Sequence, residues 1–94
     1  MRTIRLSTRF KPDYKRVHAG EHGKAIQVEL PELLKLLVSD APLLPRHRDH
    51  ALSGDWIGFR DCHVRPDLVL IYGKRDGATL ELARIGSHSE LFKR

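Results

Sequence analysis

Residues 56–74, WIGFRDCHVRPDLVLIYGK, decide the fold. Two apolar runs flank a charged stretch that ends in Pro66-Asp67. Proline fixes its own backbone and aspartate favours turns, so the pattern reads as strand, reversal, strand. The first strand is expected over Trp56–Val64 and the second over Leu68–Lys74. The unbroken LVLIY at 68–72 places the second strand in the middle of a sheet, well covered. Arg75-Asp76-Gly77 then carries a DG turn signal. A third strand over Thr79–Ile85 therefore closes an antiparallel hairpin with the second.

Helices are expected before these strands. Ile26, Leu30, Leu33, Leu34 and Leu37 recur at steps of three and four, so they share one helical face. That helix is expected to end near Ser39–Asp40, ahead of Pro42. Pro31 interrupts it, and either kinks one long helix or opens a second, shorter one. An earlier helix is expected over Phe10–His18, with Phe10, Tyr14 and Val17 inward and Gly20 and Gly23 beyond its end. Thr3–Ser7 alternates like an edge strand. Residues 40–55, DAPLLPRHRDHALSGD, form a long connection. In the tail, Ser87 with Glu90 three residues on matches a capping box, so a final helical turn starts there. The order is strand, helix, helix, three strands, helical turn. It implies an α+β fold: a curved, mainly antiparallel sheet, two helices on one face and the other face partly open.

The 94 residues fit a single domain, 1–94. With 40% hydrophobic and 31% charged residues, the chain is not of disordered composition. No apolar run approaches a membrane span. The start, MRTIRLSTRF, lacks the apolar region and cleavage site of a secretory signal. One cysteine makes no internal disulfide, so the expectation is a cytoplasmic protein with no membrane partner. A formal charge of +5 suggests a polyanionic partner, most often nucleic acid.

Residues able to do chemistry fall in three places: His47 and His50; Asp61, His63 and Asp67; Arg84 and His88. Such a set suits RNA cleavage by the RNA's own 2′-hydroxyl. That reaction needs a base, an acid for the leaving 5′-oxygen, and cations for the phosphorane. Histidine serves both proton transfers, and arginine serves the charge. An aromatic such as Phe92 could stack on a splayed base. A non-catalytic RNA-binding module explains the charge equally well. His18 and His22 read as solvated. His47 and His50 lack a third ligand at recognisable spacing and have arginines beside them, so no metal site is expected. Cys62, Trp56 and Tyr72 read as packing residues.

The run PRHRDHALSGDWIGFRDCHVRPDLVLIY, residues 45–72, together with RIGSHSELF, residues 84–92, resembles the YafQ branch of the RelE-like toxin superfamily. The resemblance covers nearly the whole chain. It implies a RelE-like fold and the toxin of a type II toxin–antitoxin pair. Toxins of this kind enter the ribosomal A site and cut mRNA there, without a metal or other cofactor, leaving a 2′,3′-cyclic phosphate. The partners it implies are mRNA on the 70S ribosome, a ribbon-helix-helix antitoxin, and operator DNA reached only through the antitoxin complex. Carried over, the active-site positions fall on His50, His63, Asp67, His88 and Phe92, with Arg84 at a basic position beside them; the first four are expected to be catalytic, Phe92 and Arg84 to contact RNA, and Arg60, by its charge, to join them or to pair structurally. His88 and Asp67 are expected to move protons, with His50 and His63 sharing that work or holding phosphate. His47 and Asp61 match no catalytic position. The family pattern commonly has Trp where this chain has Leu68, and a smoother helix where it has Pro31. A toxin-fold protein that binds RNA, ribosome or antitoxin without cutting is the alternative.

Overall fold

The computed structural model describes residues 1–92. In chain order the strands are β1 (Thr3–Leu6), β2 (His50–Ala51), β3 (Arg60–Arg65), β4 (Leu68–Gly73) and β5 (Thr79–Gly86). The helices are α1 (Phe10–Ala19), α2 (Gly23–Gln27), α3 (Glu29–Val38) and α4 (His88–Leu91). One sheet has the order β1-β5-β4-β3-β2. Strands β3, β4 and β5 form the expected antiparallel meander, and β1 adds to β5 in parallel.

Strand β4 is central and every residue in it is buried. Its side chains alternate between two cores. Leu68, Leu70 and Tyr72 meet Phe10, Val17, Leu30, Leu33 and Leu37 under the helices. Val69 and Ile71 meet Ala83 and Leu91 on the other face, where Leu52, Trp56, Phe59 and Phe92 pack over them. That second face is less open than expected, because the 52–59 segment and α4 fold across it. Each fully buried aliphatic side chain contributes about 1.5–3 kcal/mol, so both faces stabilise β4.

One detail resolves an alternative left open by the sequence, and two differ from its reading. Pro31 is the third residue of α3, where its missing N–H costs nothing. Its ring would meet the carbonyl of Gln27 in a continuous helix. The chain breaks at Val28 instead (φ −115°, ψ −65°), so α2 and α3 are separate. Trp56–Phe59 is not strand: a 3-10 turn covers Gly54–Trp56, and Gly54 and Gly58 both take positive φ (64° and 91°). The two glycines turn the chain so that Trp56 packs edge-on against Phe59, ring centres 5.5 Å apart. In α1, Tyr14 is exposed and Asp13 is buried instead.

That buried carboxylate ties α1 to β5. Asp13 accepts hydrogen bonds from Arg84 Nε and Nη2 (2.7 and 2.8 Å), Arg16 Nη2 (3.1 Å) and the Ile85 N–H (3.3 Å). Burial alone would raise its pKa, but these donors outweigh it and hold the carboxyl below its usual value. Among the described residues no helix is long and apolar enough to cross a membrane.

Candidate active site

Strand alternation sorts β3 into two sets. Cys62 and Val64 point into the core under the helices. Asp61 and His63 therefore point to the opposite face. Strand β2, hidden inside the long connection, sets His50 directly across from Asp61. Helix α4 brings the last members. Ser87 caps it, accepting from the Glu90 N–H at 3.2 Å, while the Glu90 carboxylate accepts from the Ser87 N–H at 2.8 Å. The capping box thereby fixes His88 at the first helical position.

The result is a row of rings. His63 and His88 lie 5.4 Å apart between ring centres, and His88 and Phe92 lie 5.3 Å apart. His63 is buried, His88 exposed and Phe92 half-buried. His63 Nδ1 donates to the Pro66 carbonyl at 3.1 Å, which leaves its Nε2 to accept a proton. His50 Nδ1 donates to the Arg48 carbonyl at 2.9 Å and leaves its Nε2 free in the same way.

Asp61 lies beneath this group with 1% of its surface exposed. Its Oδ1 is 3.0 Å from His50 Nδ1, but that N–H is aimed at Arg48. Oδ1 has no hydrogen-bond partner among the described residues. Burial pushes the Asp61 pKa up, and the nearby His50, His63 and His88 pull in the other direction without cancelling it. The sequence reading counted Asp61 among the residues able to do chemistry but matched it to no catalytic position. The available signal was its two-residue spacing from His63, which puts both on one face of a strand.

The other expected site residues lie elsewhere or are engaged. Asp67 is in the β3–β4 turn with its side chain 69% exposed, and its Oδ1 is 3.2 Å from His22 Nε2. Its groove is lined by Arg16, Glu21, His22, Ser87 and Ser89, and none of His50, His63 and His88 takes part in it. His22, expected to be solvated, is half-buried there. Glu21, His22 and Asp67 have ligand atoms within 4.8 Å of one another, the one grouping of possible metal ligands found among the described residues. Arg84, expected to contact RNA, is spent on Asp13, with its side chain only 12% exposed. Arg60 forms a forked pair with Asp49 (3.1–3.3 Å), which also accepts from the Tyr72 hydroxyl. The Arg60 side chain stays 43% exposed, so part of its guanidinium faces solvent. His47 is buried and accepts the Leu44 N–H at Nδ1. Burial holds its pKa down, as suits a neutral packing residue.

Histidines and an aromatic are thus gathered on the face of a small, basic α+β sheet opposite α1, α2 and α3. Residues 2–93 match the family model described as the bacterial toxin of type II toxin–antitoxin system, YafQ. The mRNA interferase toxin YafQ of Escherichia coli strain B is 38% identical over 92 residues, covering 97% of this chain and 96% of that one. Among solved structures, a copper-bound mutant toxin from Helicobacter pylori superposes with a TM-score of 0.84 at 36% identity, covering 98% of this chain and 100% of that one. The toxin of the E. coli DinJ–YafQ complex superposes with a TM-score of 0.79 at 34% identity, covering 98% and 99%. The chain belongs to the YafQ family of bacterial toxins.

Proposed function

We propose that this toxin is an mRNA interferase that cuts mRNA in the A site of the translating ribosome, and that its 94 residues act as one domain in the cytoplasm. The ring row carries the reading: His63, His88 and Phe92 in contact, with His50 and the Asp61 carboxylate beside them. One histidine Nε2 takes the proton of the 2′-hydroxyl as that oxygen attacks the adjacent phosphorus. A second, protonated histidine gives its proton to the departing 5′-oxygen. The products are a 2′,3′-cyclic phosphate and a free 5′-hydroxyl, with the proton count unchanged. Asp61 supports the cationic partner, and Phe92 offers a face on which a base stacks. Asp67 enters as an acid–base group that RNA binding must first separate from His22. Arg60 adds positive potential at the rim. A small ribbon-helix-helix antitoxin neutralises the toxin, and operator DNA is reached only through their complex.

The test incubates purified protein with ribosomes translating a defined mRNA and maps the new 5′ ends. Cuts within the A-site codon are expected, with cyclic-phosphate termini and no loss of cutting on chelation once ribosome integrity is controlled. Absence of A-site cuts would leave only a binding role.

A further inference from the structure

Strand β2 carries His50 on only two residues, so few ladder bonds hold its register. That register sets His50 across from Asp61 and Ala51 across from Arg60. His50 therefore faces the ring row, and Arg60 faces the helices. Arg60 is paired in turn with Tyr72, a member of the core under the helices. Asp49, the residue before His50, reaches to that helix side. Its carboxylate accepts from Arg60 Nε at 3.2 Å, from Arg60 Nη2 at 3.1 Å, and from the Tyr72 hydroxyl. Burial first, and the bond to Asp49 next, push the Tyr72 pKa up, so the hydroxyl keeps its proton and donates. Ahead of Asp49, Arg48 takes a left-handed backbone (φ 47°), uncommon for a residue other than glycine. Its carbonyl is the one that accepts from His50 Nδ1. Bonds made on one face of the sheet thus fix the backbone from which the His50 ring projects on the other.

We propose that Asp49, clamped by Arg60 and Tyr72, is a positioning residue for the His50 imidazole. The inference rests on the role given to His50 above and deepens it. The bonded partners of Asp49 lie on the helix side, so it acts on the reaction only through the residue that follows it. The clamp holds the peptide between Asp49 and His50, and strand alternation then sends the ring toward Asp61. A slip of one residue in β2 would turn His50 toward the helices and Asp49 toward the row. The clamp opposes that slip. Were Asp49 to leave, the Tyr72 hydroxyl would lose its acceptor in a buried place, and a stranded buried donor is costly. The Asp49 side chain is only 27% exposed, so water does not readily replace it there. Proton transfer is sensitive to such placement: a shift of about 1 Å in a reacting group costs roughly 10²-fold in rate.

A cycle of four proteins tests this: wild type, Asp49→Ala, His50→Ala and the double variant, each cutting a defined mRNA on programmed ribosomes. Asp49→Ala is expected to lower kcat by roughly 10- to 10²-fold while KM for the ribosome complex stays within about twofold. In the His50→Ala background it is expected to slow cutting no further. Asp49→Asn keeps an acceptor oxygen and is expected to recover part of the loss. In nuclear magnetic resonance spectra of Asp49→Ala, the His50 ring signals are expected to move while those of His63 and His88 stay. Tyr72→Phe keeps the ring in the core and carries the same cycle if Asp49→Ala does not fold, with a loss of about threefold or more. Additive slowing in the double variant, a rise in KM alone, or unmoved His50 ring signals overturns this inference and leaves the role of His50 intact. His50→Ala cutting as fast as wild type overturns that role and this inference with it. Where wild type itself cuts no mRNA, the proposed function falls, and the His50 ring signals decide the clamp by themselves.

Discussion

Replacing Asp13 by Ala leaves Arg84 charged, only 12% exposed and without its forked partner. Arginine does not deprotonate to escape, and the groups facing it from β5 and α1 offer no second carboxylate at hydrogen-bonding distance. Breaking one partner out of a buried ion pair costs about 3–5 kcal/mol, most of it from the stranded charge. The lost Ile85 N–H and Arg16 bonds act in the same direction. For a domain of this size each 1 kcal/mol moves Tm by about 4–8 °C, so a fall of at least ~12 °C is expected. Arg84→Met alone also destabilises, by stranding the carboxylate. The double variant Asp13→Leu with Arg84→Met recovers most of the loss, because apolar packing often replaces a buried pair without cost. Thermal melts at pH 7 of wild type, Asp13→Ala, Asp13→Leu, Arg84→Met and the double variant, followed by circular dichroism, measure the loss and the cycle through Asp13→Leu. A loss below about 1 kcal/mol for Asp13→Ala, or additive effects in the double variant, would refute the argument. The same set separates a structural Arg84 from an RNA-binding one: cutting by the refolded double variant should match wild type. The pH dependence follows. The folded carboxyl sits below its usual value, so its stabilisation is complete at neutral pH, starts to fade below about pH 4, and is lost as pH falls through the lowered value.

Three further outcomes are expected. His63→Ala and His88→Ala each slow ribosomal mRNA cutting by about 10²–10⁴-fold with melts close to wild type, and unchanged cutting rates would remove both from the chemistry. Asp61→Asn trades stability for activity. Burial raises the Asp61 carboxyl pKa, so ionising it opposes folding as pH rises above the ordinary carboxylate range. Melts should show the variant more stable than wild type at pH 7 but not below pH 4, while its cutting rate falls; lower stability at pH 7 would contradict the assignment. Cys62 is fully buried and burial pushes its thiol pKa well up. A disulfide reagent at pH 8 should leave it unlabelled in the native protein and label it in denaturant, whereas rapid native labelling would mean that β3 opens to solvent.

Local chemistry made much of this protein readable. Apolar period, Pro66-Asp67 and Asp76-Gly77 fixed the β3–β4–β5 meander, and Ser87 with Glu90 fixed the cap that holds His88. The positions of His50, His63, His88 and Phe92 were legible as a motif. Their meeting was not, because β2 is two residues long inside a loop and pairs through register alone. The strand expected at Trp56 failed because two glycines with positive φ override its apolar composition. Arg84 looked like a phosphate ligand, yet its partner Asp13 is 71 residues away on a helix face where an aspartate is unexpected. Asp61 and Asp67 show the same limit: one aspartate is buried under histidines and the other turned toward His22. Sequence by itself determines which segments become strands, turns and capped helices, since those depend on neighbours along the chain. Tertiary structure decides which charges are neutralised and which remain for a substrate, since burial and pairing depend on groups far apart in sequence.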